Sequence, residues 1–192
     1  MNAICDQTRN SPTASHKGLL IFACGLIGLL LAFRAHFSVY IAKGESMLPG
    51  LRSGDLVLVD RLAYRAKDPQ RGDIVVAREG NDLIVKRVVG LPGEEVELQQ
   101  GKLYINQRPL AEEYDVEPGW LSLGKGRLLE DKYALLGDNR SVSSSVFVHT
   151  VVSKDQILGK VVYSLHLRPS GGVRNSNSPN EIAQINPRNP LL

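Results

Sequence analysis

Two residues that stand forty positions apart carry the chemistry this sequence suggests. Ser46 lies in Gly44-Glu45-Ser46-Met47-Leu48-Pro49-Gly50, and Lys86 lies in Leu83-Ile84-Val85-Lys86-Arg87-Val88-Val89-Gly90. The first stretch reads as a turn, because glycine at each end tolerates positive φ and Pro49 removes a backbone donor. A serine so placed can present its hydroxyl beside backbone N–H groups, as a nucleophile next to an oxyanion site does. It can also do no more than cap a backbone group at a strand-to-turn junction.

A serine nucleophile needs a group to take its proton. The histidines, at positions 16, 36, 149 and 166, are neither placed near Ser46 nor spaced as metal ligands, which argues against a metal hydrolase. A lysine serves as the base once its ammonium has lost its proton. Burial in apolar surroundings lowers the reference pKa of about 10.4 by several units. Lys67, Lys125, Lys132 and Lys154 stand in polar surroundings, whereas Lys86 lies inside an apolar strand pattern. Strand alternation puts it on one face with Ile84 and Val88, away from Val85, Arg87 and Val89. The competing reading is an edge-strand lysine that discourages aggregation.

The elements that must position this pair follow from the rest of the chain. With 192 residues, there is room for one compact domain plus extras. The 23 Lys+Arg against 20 Asp+Glu form no basic stripe interleaved with aromatics, so nucleic acid is not an expected partner. Only Cys5 and Cys24 occur, and neither lies beyond the apolar run, so a domain outside the cell would hold without disulfides. Residues 1–17 are polar and read as a disordered cytoplasmic tail. Gly18 to Phe33 is free of charged or strongly polar side chains. These sixteen residues fall a little short of the roughly 20 that cross a bilayer, and snorkelling by Arg34 and His36 extends them, which gives a transmembrane anchor over 18–36. A cleaved signal peptide fits less well, because Leu31-Ala32-Phe33-Arg34-Ala35-His36 has no clean small-x-small site. Arg9 and Lys17 before the run, against Arg34 after it, place the amino end in the cytoplasm and the rest outside.

Short β-branched segments follow at 55–60, 73–77, 83–89, 94–98, 102–106, 133–136 and 156–163, separated mostly by Gly, Pro, Asn or Asp. Together they predict an all-β domain over 37–169, a hairpin-rich antiparallel barrel or sandwich. The stretch 111–126, with Pro118, Gly119, Gly124 and Gly126, reads as an excursion outside the core. Residues 170–192, rich in Asn, Pro and Ser, read as a disordered tail.

Four blocks in order resemble the type I signal peptidases (leader peptidases), over roughly residues 18–168. Gly44-Glu45-Ser46-Met47-Leu48-Pro49 resembles their serine box, and Arg71-Gly72-Asp73-Ile74-Val75-Val76 their second block. Val85–Glu94 resembles the lysine box, and Gly137-Asp138-Asn139-Arg140 the start of the last box. The resemblance implies a Ser-Lys serine endopeptidase that removes signal peptides from exported preproteins after small residues at −1 and −3, and needs no cofactor or metal. Ser46 would be the nucleophile and Lys86 the general base. The Ser46 backbone N–H would serve the oxyanion hole. Ser143, with Asp138, Asn139 and Arg140, would orient the lysine and support the site. Partners would be signal peptides, the lipid bilayer and the protein export machinery.

The chain departs from the family pattern in places. Gly44 stands where some members have a second oxyanion serine, and Gly50 where threonine is usual. Ser145, Phe147 and Thr150 replace the Asp, Arg and Gly of the last box, so the usual ion pair behind the site is lost as a pair. Asp138 and Arg140 are the expected substitute pair, against a plain turn. These changes keep a rival open: a catalytically weak or inactive membrane-tethered binding or scaffold module.

Overall fold

The computed structural model describes residues 14–141, 149–166 and 184–185. The chain divides into two compact units, the first ending at His36 and the second beginning at Phe37. In the first, Ala14–His36 forms a single helix, α1. Its run Gly18–His36 is long and apolar enough to cross a membrane. At 1.5 Å per residue these 19 residues extend about 28 Å, close to the ~30 Å hydrocarbon core. Leu19, Leu20, Ile21, Phe22, Leu29 and Leu31 all point outward, as suits a helix solvated by lipid rather than by protein.

Among the described residues the strands of the second unit all pair antiparallel. Its strands are β1 (Phe37–Ile41), β2 (Leu56–Asp60), β3 (Ile74–Glu79), β4 (Asp82–Gly90), β5 (Glu95–Gln99) and β6 (Lys102–Ile105). They continue with β7 (Arg108–Pro109), β8 (Leu123–Arg127), β9 (Lys132–Leu136), β10 (His149–Ser153), β11 (Ile157–Leu165) and β12 (Gln184–Ile185). Among the described residues the larger sheet has the order β1-β2-β11-β3-β4-β9-β10, with β12 added on β4. A four-stranded sheet runs β7-β6-β5-β8. The all-β fold behind one apolar helix is as the sequence predicts.

Three apolar clusters hold these layers, and β4 feeds all of them. Leu83 and Val85 join Met47, Leu51, Val57 and Val59 in one cluster. Ile84 and Val88 join Val75, Ala77 and Leu135 in a second. Val89 joins Leu98, Leu103, Leu128 and Leu136 in the third, where the smaller sheet closes over the end of the larger. The alternation in β4 is that of a strand buried on both faces.

Three segments differ from the sequence reading, the first being Gln184–Ile185, which lie in the stretch read as a disordered tail and form β12 on β4. The stretch 111–126 is no excursion: it supplies most of β8, the buried Leu121 and two side chains behind the site described below. Its glycines and proline mask a strand whose partner, β5, is remote in sequence. Phe37–Ile41, inside the predicted β domain but not among the segments read as strands, is strand β1, paired with β2 from Phe37↔Asp60 to Ile41↔Leu56.

Candidate active site

Residues 44–50 form the turn that the glycines and Pro49 predict, closed by Leu48 N–H on Glu45 O (3.1 Å) and Leu51 N–H on Met47 O (2.8 Å). Met47 and Leu51 point into the core and pin the turn from below. That leaves Ser46 at the top, facing β4. Its Oγ is hydrogen-bonded to Lys86 Nζ. No part of Lys86 reaches solvent, and Ser46 is only 4% exposed. In β4 the lysine lies opposite the buried Val75 of β3.

Burial penalises the charged form of Lys86 and brings its pKa down to about 8, although Glu79 and Asp138 pull the other way. The amine is thus poised to exchange a proton with the hydroxyl it touches. The pair has the contact and the proton affinity that nucleophilic attack by serine requires.

Gly137-Asp138-Asn139-Arg140 lies against the serine turn, each residue with its own task. Asn139 N–H donates to Ser46 O (3.0 Å), and Asn139 Nδ2 donates to Glu45 O (3.1 Å). Asn139 therefore clamps the turn that carries Ser46. Gly137 is held so close that a Cβ there would collide with Ser46 O. Only glycine fits at this contact.

Asp138 does not pair with Arg140, contrary to expectation. Both of its oxygens are taken by Arg87, with Nε to Oδ1 at 2.8 Å and Nη2 to Oδ2 at 2.6 Å. Burial pushes the Asp138 carboxyl above its ordinary value, and the Arg87 guanidinium opposes that rise. Arg140 turns the other way. It donates to Gly137 O (2.7 Å) and Gly101 O (3.2 Å), and pairs with Glu112 at 2.7 Å. Tyr114 joins the two ion pairs: its hydroxyl donates to Glu112 Oε1 (2.5 Å), and the Arg87 guanidinium lies 3.8 Å from its ring centroid. Burial raises the Tyr114 phenol well above its ordinary pKa, and the bond to Glu112 adds to the rise. Two buried arginines are thus matched by two carboxylates.

Sequence reasoning missed Glu112 and Tyr114, which sit among the Pro and Gly of the stretch taken for an excursion. The faint signal for them was an acid and an aromatic two residues apart in an otherwise loop-like composition. Ser143, expected to orient the lysine, lies outside the described residues, as do Ser145 and Phe147. Gly50 has a visible consequence: a Cβ there would come within 3.1 Å of Asp138 Oδ2, so glycine leaves that oxygen to Arg87.

The second block, Arg71-Gly72-Asp73, braces the lysine strand. Gly72 N–H donates to Val88 O (2.8 Å), Val88 N–H donates to Asp73 O (2.9 Å), and Arg87 Nη1 donates to Gly72 O (2.8 Å). Asp73 is itself held by Tyr64 Oη (2.8 Å) and Lys160 Nζ (2.5 Å). Burial pushes its carboxyl up, but Lys160, the Gln70 N–H and Tyr64 outweigh that and hold it below its ordinary value.

Comparison with known proteins places this geometry in context. The family model described as "Signal peptidase, peptidase S26" matches residues 15–165. A probable signal peptidase I-2 of Synechocystis is 32% identical over 152 residues, covering 75% of this chain and 70% of the relative. Signal peptidase IB of Staphylococcus aureus is 31% identical over 164 residues, covering 76% of this chain and 86% of the relative. The crystal structure of a signal peptidase I from Enterococcus faecalis is 30% identical and covers 50% of this chain and 98% of that one, with a TM-score of 0.40.

Proposed function

The chain belongs to the signal peptidase I family, and from that premise we propose that it is a membrane-bound serine endopeptidase that cleaves signal peptides from exported preproteins. Ser46 is the nucleophile and Lys86 the general base. The observation that carries this reading is the buried Ser46 Oγ–Lys86 Nζ hydrogen bond, with the lysine pKa brought down to about 8.

The steps follow from that contact. Neutral Lys86 takes the hydroxyl proton as Ser46 Oγ attacks the carbonyl carbon of the residue at −1. The Ser46 backbone N–H stabilises the oxyanion that forms. The Lys86 ammonium then gives its proton to the leaving amine as the C–N bond breaks, which leaves the signal peptide as an ester on Ser46. Lys86, neutral again, takes a proton from water, the hydroxide attacks the ester, and the proton returns to Ser46 Oγ. The enzyme ends as it began.

The substrate lies as an added strand on β4. β3 occupies one edge of β4 along Asp82–Arg87, and β9 occupies the other from Arg87 to Gly90. The part of that edge not taken by β9 runs along 82–86 and ends at Lys86. A peptide there gains main-chain hydrogen bonds whatever its sequence, and small side chains at −1 and −3 suit shallow pockets beside the dyad. Orientation follows from charge: Arg9 and Lys17 before the span, against Arg34 after it, keep the amino side in the cytoplasm and the β unit outside.

The test is cleavage of a model preprotein by the whole chain in detergent or lipid, with the new amino terminus mapped. Cleavage after a small residue supports the reading. An inert protein, under conditions in which a related peptidase cleaves, favours the rival reading of a tethered scaffold.

A further inference from the structure

Another segment of this chain already occupies the edge assigned to substrate. β12 pairs antiparallel with β4, Gln184 opposite Ile84 and Ile185 opposite Leu83. The same two residues of β4 also pair with Ala77 and Arg78 of β3. A strand has only two edges, so β12 lies on the second one, in the gap that β9 leaves before Arg87. It stops two residues short of Lys86.

We propose that the segment carrying Gln184 and Ile185 is a built-in competitor for the peptide-binding edge of β4. The inference rests on the peptidase reading above and adds a regulatory contact to it. Three observations support it. The N–H and C=O groups on one edge of a strand serve one partner at a time, so an extended preprotein cannot add at Leu83 and Ile84 while β12 is there. The pairing ends two residues from Lys86, so a strand that reaches the dyad along this edge must take the place of β12. The competitor is also tethered: β11 ends at Leu165, and the chain from there to Gln184 has ample contour to reach β4. A two-residue pairing is weak enough for a longer substrate strand to displace, so the contact raises KM and does not abolish turnover.

The test compares the whole wild-type chain with a double variant, Gln184→Pro with Ile185→Pro, whose prolines cannot donate to the ladder. Both positions lie outside the catalytic and supporting groups. The expected result is a severalfold lower KM for a model preprotein with kcat unchanged. Without substrate, the amides of residues 83–85 should exchange hydrogen faster in the variant. A synthetic peptide of residues 180–189, added to the variant, should inhibit competitively. Unchanged exchange overturns the occupancy, and faster exchange with an unchanged KM overturns the competition. If neither protein cleaves, the peptidase reading has failed. The competition is then judged by the Kd of a labelled signal peptide, which must tighten in the variant for the proposal to stand.

Discussion

Asp138 holds Arg87 by two hydrogen bonds, at 2.8 and 2.6 Å, across fifty-one residues of sequence. The pair joins the two halves of the site. Arg87 follows the lysine in β4, and Asp138 lies between Gly137 and Asn139, which press on and clamp the serine turn. Asp138→Asn removes the negative charge and leaves the Arg87 guanidinium buried without it. The expected loss is about 3–5 kcal/mol of stability. Replacing both residues by Leu and Met should cost much less, because no charge is left stranded. Urea unfolding of the two variants in the same detergent checks the difference.

How much of this was legible in the sequence depends on the range of the interaction. Ser46 and Lys86 stood out because their signals are local: glycines and a proline around one, β-branched neighbours around the other. The strands showed through their turn residues, as at Arg52-Ser53-Gly54-Asp55 and Leu91-Pro92-Gly93. What did not show was pairing at long range. Nothing near Asp138 says that its partner is Arg87 rather than the nearby Arg140, and nothing near Arg140 points to Glu112. β8, with Gly124 and Gly126, has poor strand propensity and exists because β5 offers it an edge. β1 was hidden because Phe37–Ile41 continues the apolar run of α1, and hydropathy alone does not mark where a helix yields to a strand.

The pH dependence follows from Lys86. Burial lowers its pKa from 10.5 to about 8, so the neutral amine, the form the proposed base needs, becomes the main one above that pH. The kcat/KM for a preprotein should rise roughly tenfold per pH unit below about 8 and level off above it. Stability moves the same way. Between about 8 and 10.5 the unfolded lysine still holds its proton and the folded one has lost it, so the fold gains stability as pH rises through that window. A flat rate profile from pH 6 to 10 would remove Lys86 from the base's role.

Gly137→Ala tests the fit between the last box and Ser46. The added methyl has no room against Ser46 O, so the turn must shift by a few tenths of an ångström or more. A misplacement near 1 Å costs on the order of 10²-fold in rate. The loss should fall in kcat, with KM nearly unchanged and circular dichroism like that of the wild type. Wild-type turnover in this variant would mean that the turn tolerates movement at Ser46.

Glu112→Gln addresses the acid that sequence reasoning missed. Arg140, whose side chain is fully buried, would keep its bonds to Gly137 O and Gly101 O but lose its counter-charge. A destabilisation of about 3 kcal/mol is expected, with the pH midpoint of activity unmoved, because Glu112 acts on the frame and not on Lys86. A shifted midpoint would place Glu112 in the electrostatics of the base.

The central claim is that Ser46 and Lys86 act as one unit. It is tested most directly by single-turnover cleavage of a model preprotein by the wild type, Ser46→Ala, Lys86→Ala and the double variant, all confirmed as folded. The account predicts that each single variant loses at least about 10³-fold in rate and that the double variant loses no more than either one. Losses that multiply in the double variant, or a Lys86→Ala protein that cleaves at the wild-type rate, would contradict it.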